Sequence, residues 1–408
     1  MGQHLKQLTA LRYFAALWVV FYDYWPHLTG SAPPVIASGH LGVELFFVLS
    51  GFILAHVYLE AFGSGTGRYL DFLWARLARI YPVHLAILIG LILLVIAGRL
   101  AGLDIGRELA VVSSLPAQIL LLQAWGLSPH GGWNHPSWSI SAEWFAYLTF
   151  PAFAFVYWRL RARPRLAVGL SLLLLAGLNL GFQSQTGQSL TAATIAWGAL
   201  RIVPCFALGC AIWLVWSSGW PKTKRTAWTL TGGGLASVLL LTLSPLPDWL
   251  TVPGFAALIL GLAGLARAGS RRLTAPLLVY LGEVSFAVYM VCIPWQLVFT
   301  GLAAKLTGGG DLLPWPLWLL LVAGVTPAAM VVHHLVERPA REAMRRHGVP
   351  FMHRPAAAPS PQAPDDESPH AVMANELWRN TYGAPPTPGI NPALLLRIIA
   401  FAGPKRRR

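Results

Sequence analysis

The sequence predicts an all-α integral membrane protein, a bundle of about ten transmembrane helices followed by a disordered Pro-rich C-terminal tail. Three observations lead to this prediction. Of the 408 residues, 55% are hydrophobic and only 11% are charged, a balance that soluble globular domains do not reach. The apolar residues are also gathered into long segments, and short basic clusters separate many of these segments.

Ten apolar segments are long enough to cross the ~30 Å hydrocarbon core of a bilayer. They are 9–28, 39–59, 80–98, 137–158, 166–182, 190–216, 226–243, 251–267, 276–300 and 314–336.

A further apolar stretch, 111–126, decides the topology. If it does not cross, the basic clusters between the predicted spans all fall on one side, which the positive-inside rule assigns to the cytoplasm. We therefore expect 111–126 to be a re-entrant or interfacial segment on the outer side. The protein is then placed in the inner (plasma) membrane with both termini cytoplasmic.

The formal charge of +14 does not indicate a nucleic-acid partner. The basic residues lie between apolar segments and at the C-terminus, a placement typical of membrane topology and of attraction to anionic lipids. No zinc-ligand, Walker or Rossmann spacing occurs, so we expect no metal.

The composition divides the chain into three parts. Residues 1–346 form the polytopic membrane domain, and 347–391 are predicted to be a disordered Pro-rich linker because they are too poor in apolar residues to fold alone. Residues 392–408 form a short basic amphipathic tail, whose Leu and Ile residues followed by basic ones suit a helix on the anionic inner leaflet. A tail with no membrane role explains the same residues.

The first span carries titratable residues on one helical face. Arg12 and Asp23 are eleven residues apart, about three turns or ~16 Å, and His27 follows one turn later. Ionisable groups within an apolar helix usually face a protein interior or a water-filled cavity. This face is therefore a candidate site; the alternative is that Arg12 reaches the cytoplasmic headgroups and Asp23 the opposite interface.

Other spans contribute polar and ionisable residues to the same interior. The second span contains Glu44 and Ser50, with Gly51 permitting a close helix contact. Arg76 and Arg79 lie on one face at the cytoplasmic mouth of the third span, where guanidiniums suit phosphate groups or simply anchor the helix. In the fourth span, Glu143 lies about two turns below the outer surface, beneath Trp138. Histidines elsewhere, among them His84 and His333, are expected to be hydrated at the interfaces.

Six motifs, in this order, resemble the integral-membrane acyltransferase type 3 family. They are LTALRYFAALWVVFYDYWP, GHLGVELFFVLSGFIL, FLWARLARIYPVH, SWSISAEWFAYLTFP, LGEVSFAVYM and HHLVERPAR, and the resemblance covers residues 5–345. It implies transfer of an acyl group, commonly acetyl, from cytoplasmic acyl-CoA to a hydroxyl of a cell-surface glycan or lipid-linked sugar.

The positions that match the family's functional pattern are Arg12, Glu44, Arg76, Arg79, Glu143 and Glu337. Two positions depart from it. Where the family carries a His eleven residues after the first-span Arg, this chain has Asp23, and a second expected His is Cys292. Both differences affect proton transfer, for which an imidazole is well suited.

Three accounts of the altered site follow. In the first, His27 supplies the missing imidazole and Asp23 orients it. In the second, a desolvated Asp23 acts as the base by itself; in both of these accounts Glu143 completes the catalytic set and, with Trp138, shapes the acceptor entrance. In the third, the scaffold binds acyl-CoA or a glycan without transferring the acyl group. A glycan transporter or flippase is a further alternative for such a membrane protein.

Overall fold

The computed structural model describes residues 5–100, 110–128, 131–307 and 312–348, and these ranges contain helices and loops but no β-strand. The helices are α1 Lys6–Tyr24, α2 Pro34–Ala37, α3 Gly42–Gly63, α4 Tyr69–Leu100, α5 Leu115–Ile119, α6 Ser137–Leu148, α7 Phe150–Leu160, α8 Pro164–Thr186, α9 Gly198–Ser217, α10 Lys224–Thr242, α11 Val252–Arg267, α12 Pro276–Thr307, α13 Trp315–Val332 and α14 Arg338–His347. Short 3-10 turns lie at Trp25–His27, Ser38–Leu41, Val112–Ser114, Leu190–Ala192 and Asp248–Thr251, and a π-helical turn at His333–Glu337 joins α13 to α14.

Seven helical stretches of the described residues are long and apolar enough to cross a membrane. They are Pro34–Gly63, Tyr69–Leu100, Pro164–Thr186, Gly198–Ser217, Asp248–Arg267, Pro276–Leu306 and Trp315–His347. In hydrocarbon a helix is favoured because it satisfies the hydrogen bonds of its own backbone.

The count of ten spans is not confirmed and stays a prediction. Three expected spans coincide with α1, the α6–α7 pair and α10, which are not among the seven. Helix α1 contains Arg12 and Asp23, which lower its hydropathy. Helices α6 and α7 have 12 and 11 residues and are separated at Thr149, because Pro151 cannot continue the hydrogen-bond ladder of α6.

The segment 111–126 forms only a 3-10 turn and the five-residue helix α5, which is too short to cross a bilayer. It packs against α4 and α6 through Gln118. The His84 Nε2 atom lies 2.8 Å from the Gln118 carbonyl oxygen, and Ser137 Oγ donates to Gln118 Oε1 at 3.0 Å. His84 is thus buried and hydrogen-bonded, so the expectation of a hydrated His84 is wrong.

Helices α9 and α11 form the centre of the bundle. In each of these two helices, 72% of the most apolar 18-residue stretch is buried inside the protein, whereas the corresponding fraction in α8 is 28%. The exposed leucines of α8 are suited to contact with lipid. Small residues bring the central helices together: Gly51 of α3 and Gly209 of α9 lie at their crossing. A methyl group on Gly209 would be 2.1 Å from the Val48 carbonyl oxygen, and one on Gly51 would be 2.1 Å from that of Phe206.

The linker 347–391 extends beyond the described residues after Gly348, and the tail 392–408 lies outside them altogether, so both remain predictions.

We expect Gly209→Ala to destabilise the protein, because the added methyl forces α3 and α9 apart at a cost of about 1–3 kcal/mol. Thermal unfolding in detergent measures this change. Gly177→Ala in α8 is the matched control, since a methyl there meets no atom within 4 Å and alanine favours helix. Equal melting temperatures for the two variants would contradict the close α3–α9 contact.

Candidate active site

Three cavities lie one after another inside the bundle, and neighbouring cavities share wall residues. We call the cavity beside Arg76 the inner cavity and the cavity beside Asp23 the outer cavity, and the middle cavity lies between them. Their volumes are about 70 Å³ for the inner, 40 Å³ for the middle and 260 Å³ for the outer cavity. Arg12 and Glu143 line both the inner and the middle cavity, whereas Val43 and Tyr289 line both the middle and the outer cavity. The shared residues place the three cavities in a row, and the middle cavity has the smallest volume.

Charged and polar side chains from four helices line the inner cavity. Helix α1 contributes Arg12, α3 contributes Ser50, α4 contributes Arg76 and Arg79, and α6 contributes Glu143. The sequence analysis selected all five of these residues, and the fold brings them to one cavity. Three guanidiniums accompany a single carboxylate in its wall, which gives the cavity a positive excess.

Arg12 has an unused hydrogen-bond donor in this cavity. Its Nε atom is buried and has no hydrogen-bond partner among the described residues. The nearby Glu143 carboxylate accepts from the Tyr147 hydroxyl at 3.0 Å. Because an unsatisfied buried donor costs about 1–3 kcal/mol, Arg12 is suited to bind an acceptor atom of a ligand.

Arg76 and Arg79 differ in how they are held. Arg76 donates through Nη2 to the Tyr58 hydroxyl at 3.2 Å and lies 5.3 Å from the centre of that ring. Its buried Nε has no partner in the described part of the chain. Arg79 donates through Nη1 to Glu337 and lies 5.1 Å from the centre of the Phe286 ring. Arg76 therefore keeps more hydrogen-bonding capacity for a ligand.

Glu337, at the end of the π-helical turn, joins several charged groups behind the cavity wall. It accepts from Arg79, its Oε2 lies 2.8 Å from His333 Nδ1, and its Oε1 lies 3.5 Å from Arg341 Nη1. The carboxylate is 1% exposed, so these partners offset the cost of burying it. His333 is likewise buried, which makes the expectation of a hydrated His333 wrong.

The outer cavity contains Asp23 and Trp138 together with residues that the sequence analysis did not select. His40, His135 and Asp248 also line it. His40 Nε2 lies 3.3 Å from Asp248 Oδ2, which ties the turn before α3 to the turn before α11. Carboxylates, imidazoles and an indole in one cavity are suited to bind a hydroxyl-rich molecule.

Asp23 and His27 make contacts in different places. Cys292 Sγ donates to Asp23 Oδ2 at 3.7 Å, so the two positions that depart from the family pattern touch each other. His27 Nε2 lies 2.5 Å from Gln296 Nε2 on α12. Among the described residues, the wall of the outer cavity includes Asp23 but not His27.

Glu44 is part of a buried ion pair that the sequence analysis did not find. Arg201 of α9 donates through Nε to Glu44 Oε1 at 2.5 Å and through Nη2 to Oε2 at 2.9 Å. The guanidinium carbon also lies 4.6 Å from the Trp138 ring centre, and Arg201 lines the outer cavity. An arginine within the apolar segment 190–216 was the available signal.

No group of three or more His, Cys, Asp or Glu side chains in the described ranges is arranged to hold a metal ion.

The fold and the site thus define a helical membrane protein with ionisable side chains around a row of interior cavities. Comparison with known proteins gives the family. The chain belongs to the acyltransferase 3 family, because the model of that family, described as an acyltransferase domain, matches residues 5–334.

Three curated proteins illustrate the relationship. The chain is 30% identical over 406 residues to "Acyltransferase MdmB" of Streptomyces mycarofaciens, and this alignment covers 91% of the present chain and 98% of the relative. It is 26% identical over 229 residues to "Putative peptidoglycan O-acetyltransferase YrhL" of Bacillus subtilis (strain 168), covering 52% and 34%. It is 43% identical over 77 residues to "Protein 2 in picA locus" of Rhizobium radiobacter, covering 19% and 38%. No solved structure matches the chain significantly.

We expect Glu44→Met to destabilise the protein by about 3–5 kcal/mol, because it leaves the Arg201 charge buried without its partner. The double variant Glu44→Met/Arg201→Met should recover much of this loss, since no charge is then left unpaired. Thermal or denaturant unfolding in detergent measures both variants. Arg68→Ala, which breaks an exposed pair with Asp71, is the control and should cost less than about 1 kcal/mol.

Proposed function

We propose that this protein transfers an acyl group, acetyl in the simplest case, from cytoplasmic acyl-CoA to a hydroxyl of a cell-surface or exported glycan. The observation that carries the proposal is the series of cavities from Arg76 to Asp23. Family membership supports acyl transfer, and the peptidoglycan O-acetyltransferase name of one relative supports a glycan acceptor. The anionic donor suits the arginine-rich inner side, and the hydroxyl-bearing acceptor suits the outer cavity.

The unsatisfied donors in the inner cavity support binding of the CoA arm. Arg76 Nε and Arg12 Nε are buried without partners in the described residues, and both residues line the inner cavity. Guanidinium groups at these positions can bind phosphate oxygens near Arg76 and carbonyl oxygens near Arg12. Glu143, held by Tyr147, accepts hydrogen bonds from the amides of the same arm.

Asp23 is the base in this proposal. Because it lies ~16 Å from Arg12 along α1, the thioester must extend through the middle cavity to reach it. Asp23 takes the proton of the acceptor hydroxyl while the oxygen attacks the thioester carbonyl. The C–O bond forms, the C–S bond breaks, and CoA leaves as a thiolate that recovers the proton from Asp23.

Asp23→Asn should lower acyl transfer at least about 100-fold, the usual range for loss of a general base, while CoA binding is retained. Arg76→Ala should instead weaken CoA binding, and Arg99→Ala at the other end of α4 should change neither. Transfer is measured with labelled acetyl-CoA and membranes containing the acceptor glycan, and binding with purified protein. Wild-type turnover in Asp23→Asn would remove this residue from the mechanism.

Val43→Trp should abolish transfer and leave CoA binding intact, because an indole at this position fills the narrow middle cavity and blocks the acyl group. Val57→Trp, on the exposed face of the same helix α3, is the matched control and should remain active. Active Val43→Trp protein would contradict the route through the middle cavity.

Mass spectrometry of surface glycans from cells with and without the protein tests the reaction as a whole. We expect the acetyl ester to be present only when the protein is present. A transporter would move the glycan without consuming acyl-CoA, and a binding protein would bind CoA or glycan without forming an ester. Either result would contradict the proposed function.

A further inference from the structure

Helix α14 places arginines next to the wall of the inner cavity. Arg341 lies 3.5 Å from the same Glu337 oxygen that accepts from Arg79, and Arg79 lines the cavity. Arg345, one turn further along α14, is close enough for its charge to act on Arg341. A row of guanidiniums thus leads outward from the cavity wall.

The position of α14 is fixed against the beginning of α4. The Trp74 indole N–H donates to the Met344 carbonyl oxygen at 2.8 Å. The helical stretch Trp315–His347 has 33 residues, which is ~50 Å at 1.5 Å per residue and exceeds the ~30 Å of hydrocarbon. Its last turns therefore lie outside the hydrocarbon, at the end of the bundle that contains Arg76.

The charges in this region are not balanced by the protein. The inner cavity wall and α14 together carry seven arginines, whereas four carboxylates accompany them, those of Glu143, Glu283, Glu337 and Glu342. Glu337 is buried, whereas Glu283 is exposed. Guanidiniums gathered in this way repel one another, and phosphate groups are the anions that their planar donors bind best. The cluster is complementary to a ligand with several phosphates.

We propose that Arg341 and Arg345 form a subsite for the nucleotide phosphates of a CoA thioester whose acyl arm enters the inner cavity. The identity of this donor rests on the proposed function. A lipid headgroup also offers phosphate, but Arg341 is connected to the cavity wall through Glu337 and Arg79. This continuity favours a ligand that has one end on α14 and the other in the cavity.

The test is equilibrium binding of free CoA and of 3′-dephospho-CoA to the full-length protein in nanodiscs of phosphatidylcholine, a zwitterionic lipid with no net charge. We expect the wild type to bind CoA more tightly. Arg345→Gln should weaken CoA binding about tenfold, the effect of one lost charged hydrogen bond, and should leave the binding of 3′-dephospho-CoA within about twofold. Arg341→Gln should act in the same direction.

Arg346→Gln is the matched control, since this neighbouring side chain is 80% exposed and lies 3.9 Å from Glu342. It should leave both affinities unchanged. Unchanged dephospho-CoA binding shows in the same experiment that a variant is folded. Equal wild-type affinities for the two ligands would overturn the subsite. So would an Arg345→Gln variant that keeps CoA binding and loses only association with phosphatidylglycerol vesicles, because that result assigns the arginines to lipid headgroups.

Two results distinguish a failure of the subsite from a failure of the proposed function. Wild-type protein that shows the expected CoA preference but transfers no acyl group to any glycan supports the subsite and contradicts the proposed function. Arg345→Gln protein that transfers normally and binds CoA as tightly as the wild type contradicts the subsite alone.

Discussion

The buried ion pair between Glu44 and Arg201 is the interaction on which the rest of the interior depends. Each charge would cost several kcal/mol if it were buried alone, so α3 and α9 must pack in the one register that joins the two groups in a bidentate pair. The Gly51–Gly209 contact allows this approach. Because Trp138 packs on the same guanidinium, the pair also positions α6, the helix that carries Glu143. The wall of the outer cavity and the carboxylate of the inner cavity are thereby fixed relative to each other.

A second group of interactions holds the opposite side of the inner cavity. Glu337 binds Arg79 and lies within ion-pair distance of Arg341, so α4 and the turn between α13 and α14 are joined at a buried carboxylate. Arg79 is consequently held in the wall, whereas Arg76 touches only a phenol among the partners described for its side chain. The two arginines of one motif therefore have different properties: one is part of the protein framework, and the other is available to a ligand.

The sequence was informative wherever burial in an apolar helix forces a polar residue inward. That constraint selected Arg12, Ser50 and Glu143 before any contact was known, whereas Arg76 and Arg79 were selected as a pair of guanidiniums at the mouth of a span. It does not identify partners far apart in the chain, such as Glu44 and Arg201, because pairing depends on tertiary packing. His40 and Asp248 were missed because they lie in short 3-10 turns without helical periodicity. The placement of His27 on the face of Asp23 assumed a continuous α-helix, but α1 ends at Tyr24 and a 3-10 turn with three residues per turn follows.

The narrow middle cavity has a consequence for the membrane itself. A protein whose inner and outer cavities were joined by a wide water column would conduct protons and ions and would dissipate the electrochemical gradient. The middle cavity between them has a volume of only about 40 Å³, and its wall contains Val43, Phe46 and Phe286 beside the charged Arg12 and Glu143. So small a volume limits the number of water molecules that can connect the inner and outer cavities. The small middle cavity, which in the proposed reaction the acyl arm passes, thus also limits the leak of protons and ions through the protein.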